Sequence, residues 1–117
     1  DARADTTAQG YLGETSSTHS ANYTLALADR GTMIQNGNNA GITYTVPTNA
    51  SVSFPIGTVI EINNDCNSSM TVARAGGVAM ILCSTATDKD ITIGARGQMQ
   101  LRKMATDRWF ATGPNLS

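Results

Sequence analysis

The chain has 117 residues, enough for one domain with a single core. Charged residues make up 15% of it, aromatic residues 5%, and the formal net charge is −1, so no basic footprint for a nucleic acid is present. The longest apolar run, residues 76–83, is far shorter than the roughly 20 residues that cross a bilayer, and the sequence reads as soluble, with no membrane insertion.

The chain opens on Asp1 rather than a methionine, as expected of a trimmed or processed N-terminus. Residues 1–20 (DARADTTAQGYLGETSSTHS) are rich in Thr, Ser, Ala and Gly without strand or helix period, and predict an extended arm ahead of a β-sandwich domain over 21–117. From Asn22 on, short β-branched and aromatic runs are cut by Gly, Asn, Asp and Pro. Strands are predicted over 23–27, 32–35, 42–46, 51–54, 58–63, 69–73, 78–82, 90–93, 98–104 and 108–112.

In ITYTVPTNASVSFPIGTVIEINND (residues 42–65), Ile42, Tyr44 and Val46 share one face, and Val52 and Phe54 alternate with serines. Pro47 and Pro55 stand at strand ends, where a missing N–H costs no ladder bond, and Gly57 suits a turn. Close turns and the absence of helical period predict an all-β fold: an antiparallel β-sandwich or jelly-roll-like barrel, without a solenoid repeat.

Candidate chemistry is sparse. His19 is the only histidine and falls on the arm, where it is expected to be solvent-exposed with nothing to orient it as a base. Glu14 and Glu61 are the only glutamates, and Glu61 should face away from Ile60 and Ile62, so a paired-carboxylate hydrolase site has little support. Asp88, Lys89 and Asp90 suit a hairpin tip, and Asn63, Asn64 and Asp65 a turn, better than a cation site. No glycine pattern cradles a nucleotide. Catalytic, cofactor and metal sites are therefore all expected to be absent, and the chain is not expected to be an enzyme.

Cys66 and Cys83 do not make a disulfide framework, and Cys83, ending an apolar run, is expected to be a small buried thiol. Four Asn-x-Ser/Thr sequons, at Asn22, Asn49, Asn67 and Asn115, are expected by chance in so Asn- and Ser-rich a chain. Trp109 and Phe110 should point to opposite sheet faces, one into the core and one outward. Arg74, Arg96, Arg102, Lys103 and Arg108 read as dispersed solubilising or strand-edge charges.

Over Tyr23 to Ser117 the sequence resembles a β-sandwich module that recurs in structural proteins of tailed bacteriophages and prophages, particularly tail-fibre-like proteins. The residues that carry the resemblance are LADRG (27–31), Thr45-Val46-Pro47, Phe54-Pro55, the GGVAMI element (76–81) and LRKMATDRW (101–109), in that order. The resemblance transfers no catalytic residue. It implies a virion protein, assembled in the bacterial host cytoplasm, that acts by binding other virion proteins, capsid or fibre subunits, as a homo-oligomer; trimers are common in such assemblies. Tail-fibre modules sit on a long shaft, whereas about twenty residues precede the module here. That favours an auxiliary capsid decoration or cement protein docking through its arm and sandwich surface. The alternative is a tail-fibre or head-fibre tip that binds a host surface receptor or polysaccharide through loops such as NGNNAG (36–41) and STATDKD (84–90). A glycan depolymerase, the reading from another class, lacks the paired carboxylates it would need.

Overall fold

The computed structural model describes residues 16–39 and 41–117. Among them are eleven strands: β1 (Ser16–His19), β2 (Tyr23–Thr24), β3 (Met33–Asn36), β4 (Thr43–Val46), β5 (Val59–Asn63), β6 (Met70–Arg74), β7 (Ala79–Leu82), β8 (Thr87–Asp88), β9 (Ile91–Ile93), β10 (Gln98–Ala105) and β11 (Arg108–Thr112). Helical structure among the described residues is confined to a 3-10 turn at Leu27–Asp29. The fold is all-β, as the turn density predicts.

The strands form two sheets, a seven-stranded one in the order β1-β3-β5-β10-β11-β7-β8 and a four-stranded one in the order β2-β4-β6-β9. Inward residues of both meet in one core: Ile34, Ile60, Ile62, Leu101 and Trp109 from the large sheet, and Tyr44, Val46, Val72, Ile91 and Ile93 from the small one. Each side chain of this kind contributes about 1.5–3 kcal/mol by leaving water.

The sheets are mixed, not antiparallel. From β1 to β6 every link crosses to the opposite sheet, so sheet neighbours are two strands apart in sequence and run parallel: β1 with β3, β3 with β5, β2 with β4, and β4 with β6. Parallel neighbours need a long crossover, and the intervening strand in the other sheet supplies it. Only the later strands fold back, β10 pairing antiparallel with β5 and β11, and β9 with β6. Short links were thus a sign of sheet-to-sheet crossings as much as of hairpins.

Two further expectations are corrected. Residues 51–54 are not a strand: Ser51 and Val52 turn back through N–H bonds to the Thr48 carbonyl, yet Phe54 still reaches the core at 3% exposure. A loop that plugs a core with every second residue mimics a strand in sequence. Conversely, the expected arm ends early, because Ser16–His19 is an edge strand registered on β3 from Ser16–Met33 to His19–Asn36. The rest of that arm, residues 1–15, lies outside the described residues. The β11 strand ends at Gly113 (φ 146°), where a Cβ would collide with the Gln98 carbonyl oxygen, so glycine is required there.

A chain that lacks residues 1–15 keeps β1 and sets the reference melting temperature. Removing residues 1–20 deletes β1 and should lower it by about 5 °C or more, the effect of losing one edge ladder in a domain of this size. Paired thermal melts check both.

Candidate functional site

The residues that carry the strongest sequence signal converge on one buried cation. Met99, Leu101 and Lys103 occupy successive inward positions of β10, and Lys103 is 2% exposed. Its ammonium donates to the Asn49 side-chain oxygen at 2.5 Å and to the Phe54 carbonyl at 2.7 Å. It also lies 6.0 Å from the ring centroid of Trp109, its cross-strand partner on β11. Phe54 packs edge-on against that tryptophan, with centroids 5.4 Å apart. The Asn49 N–H donates to the Asp107 carboxylate at 2.6 Å. The Lys103 main chain bonds Gly57 and Thr58 as well. Lys103 is therefore a structural anchor for residues 47–58, not a solubilising charge, because a buried ammonium must find oxygen acceptors.

Around LADRG the logic is similar. The Asp29 carboxylate, 7% exposed, accepts the Tyr23 hydroxyl at 2.6 Å and the Ala26 N–H at 2.7 Å, closing the 3-10 turn. His19 is not solvent-exposed: its ring stacks on Tyr23 at 3.6 Å between centroids and meets Tyr44 edge-on, and its Nε2 is buried without a hydrogen-bond partner. The Tyr44 hydroxyl donates to the Gln35 carbonyl at 2.8 Å. Among the described residues, no carboxylate, serine or cysteine side chain hydrogen-bonds the imidazole in the manner that orients a catalytic base.

The remaining candidates are also explained by structure. Asn64, 1% exposed, accepts from Asn36 and donates to the Ser68, Ile93 and Gly94 carbonyls, tying three strand ends together. Asp65 pairs with Arg96 on the surface. Arg74 bridges Asp88 and Asp90, and clamps β6 of the small sheet to the β7–β8 hairpin of the large one. Backbone N–H groups, of Met80 for Asp88 and of Arg74 for Asp90, lead in holding these two carboxyls below the usual carboxylate range. All four sequon asparagines use their side chains to bond distant parts of the chain: Asn22 with Thr43, Asn49 with Lys103, Asn67 with Arg96 and Asn115 with Ala95. Both cysteines are free, and Cys83 is exposed rather than buried, since it follows the inward Leu82 and starts the turn. Among the described residues no three His, Cys, Asp or Glu side chains gather as a metal site. Glu14 lies outside the described residues.

What sequence reasoning missed is a surface. The outward face of the large sheet carries Gln35 of β3, Glu61 and Asn63 of β5, and Gln98 and Gln100 of β10 in adjacent register. Beside them runs a partly exposed apolar row, Val59, Phe110 and Ile81, with Arg102 between the first two. Trp109 and Phe110 do split between core and surface, Trp109 at 1% exposure and Phe110 outward under the Arg108 guanidinium. Comparison with protein-family models, curated proteins and solved structures gave no match.

Burial, followed by the Asp29 contact, pushes the Tyr23 hydroxyl up to about 12, and burial foremost does the same for Tyr44, from an ordinary 10.0. A raised pKa means that the fold favours the neutral phenol, so this stabilisation is complete below pH 10 and is lost as pH climbs toward 12. An alkaline titration should show unfolding between about 10 and 12, together with late-ionising phenolate absorbance that disappears in Tyr23→Phe/Tyr44→Phe.

Proposed function

We propose that the protein is a non-enzymatic structural component of a bacteriophage virion, an auxiliary capsid decoration protein that docks as an oligomer on the subunits of a larger shell. The observation that carries this reading is the convergence around Lys103. Four of the residues on which the resemblance to phage structural modules rests, Phe54, Lys103, Asp107 and Trp109, are linked by direct or single-residue contacts into one packed unit. The motif is scaffold, and a module that keeps its scaffold while presenting a broad sheet face suits assembly rather than turnover.

Two surfaces serve the docking. The edge strand β1 (Ser16–His19), the described part of the expected arm, lies at one border of the large sheet. The outward face of the same sheet offers Val59, Phe110 and Ile81 in one cross-strand row, an apolar strip flanked by Arg102 and Arg108. Interfaces of this make-up are dominated by a central aromatic side chain and arginines near it.

Purified protein mixed with particles assembled without it should sediment with them. Phe110→Asp should weaken that association by about tenfold or more, and because the ring is partly buried between its cross-strand neighbours it should also cost about 1 kcal/mol of stability, leaving the domain folded. Binding to host cells and not to particles would contradict the decoration role.

A further inference from the structure

A primary amine and a carboxamide are the two halves of an amide bond, and Lys103 of β10 meets Asn49, on the loop after β4, in direct contact. The 2.5 Å from Nζ to Oδ1, with a carbonyl bond of about 1.2 Å, puts the amine within about 3.7 Å of Asn49 Cγ. Reacting atoms held at about 3–3.5 Å are in near-attack range, and such placement turns a bimolecular encounter into an effectively unimolecular step. The last torsion of an asparagine is broad, so a small turn of the carboxamide presents its face to the amine. Lys103 is 2% exposed and lies against Phe54 and Trp109, which keeps water, the competing nucleophile, away from it. Asp107, in the turn between β10 and β11, completes the set: its carboxylate accepts the main-chain N–H of Asn49 itself at 2.6 Å.

We propose that Lys103 and Asn49 join in an intramolecular isopeptide bond once the domain has folded, with Asp107 as the proton relay. Asp107 takes one proton from the Lys103 ammonium, which frees the Nζ lone pair to add to Asn49 Cγ. The tetrahedral centre then collapses. The Cγ–Nδ2 bond breaks, its electron pair stays on Nδ2, and Nδ2 takes the second proton given up by Nζ. Ammonia departs with the proton that Asp107 held, so the carboxylate is regenerated and the products are an amide and one ammonium ion. Nothing is oxidised or reduced, and no co-reactant enters. Asn49 is only half-buried, which gives the ammonium ion a way out. The hydrogen-bonded anchor is the state from which the bond forms, and the bond ties the loop that follows β4 of the small sheet to β10 of the large one. The proposal uses no part of the outward sheet face and stands whether or not the domain docks on a particle.

The test is the intact mass of the purified full chain, read on isolation and again after incubation at neutral pH. It should fall below the mass of the sequence by one ammonia, about 17 Da. A tryptic digest should then contain a branched peptide in which residues 31–74 are joined to 103–108, with no cleavage after Lys103. Asn49→Ala and Lys103→Met should keep the full mass of their sequences. Asp107→Asn retains an oxygen for the Asn49 N–H but no base, and should form the bond at least about tenfold more slowly while its circular dichroism matches the parent's. The mass of the folded parent decides the matter even where a variant fails to fold. The proposal is overturned if that mass stays at the sequence value throughout, or if the ammonia loss falls in unbranched peptides, as a succinimide at an asparagine would give. An Asp107→Asn protein that cross-links at the parent's rate would overturn the role given to Asp107.

Discussion

The ammonium of Lys103 sits where a strand's alternation would place a leucine, and much of the molecule is arranged around that fact. Removing a charge from water costs several kcal/mol unless oxygen acceptors replace the solvent. Here one acceptor comes from the side chain of Asn49 and the other from the backbone of Phe54, both on the loop between β4 and β5. The loop cannot leave without stranding the cation, and the cation cannot be satisfied without the loop. Because Phe54 also closes on Trp109, the same contact seals one end of the core. Asp107 holds the far side of Asn49 and, through its carbonyl, the start of β7, so the anchor reaches four segments of the chain.

The crossing pattern decides which surfaces this scaffold shows. Strands that alternate between two sheets leave each sheet with parallel neighbours and bring residues distant in sequence into one row, as with Gln35, Asn63 and Gln98. The outward face of the large sheet is thus assembled from separate parts of the chain, with an amide-rich half and a half built on Phe110.

The period of two was legible in the strands: Ile42, Tyr44 and Val46 are buried as expected, as are Ile60 with Ile62, and Trp109 and Phe110 fall on opposite faces. Partners were not legible, because pairing is set by how links cross between layers. Ser16–His19 escaped notice because an edge strand of serine, threonine and histidine has no apolar phase to detect. The buried polar groups did leave a signal. Asn36 continues the inward phase of Ile34, Asn64 that of Ile60 and Ile62, and Lys103 that of Met99 and Leu101. Residue chemistry argued for the surface while position argued for the core, and position won because partners were waiting there. The amide-rich half of the large sheet's face was hidden for the opposite reason: its members are ordinary surface residues, and only the register brings them together.

The account depends most on Lys103 as the anchor of residues 47–58, and a double-mutant cycle on urea unfolding tests that directly. Lys103→Met keeps the volume but strands two acceptors and should cost about 2–4 kcal/mol. Asn49→Ala should cost less, and the double variant should be less destabilised than the sum of the two by about 0.5–3 kcal/mol, because both remove one shared contact. A Lys103→Met protein as stable as the parent, or two losses that simply add, would contradict it.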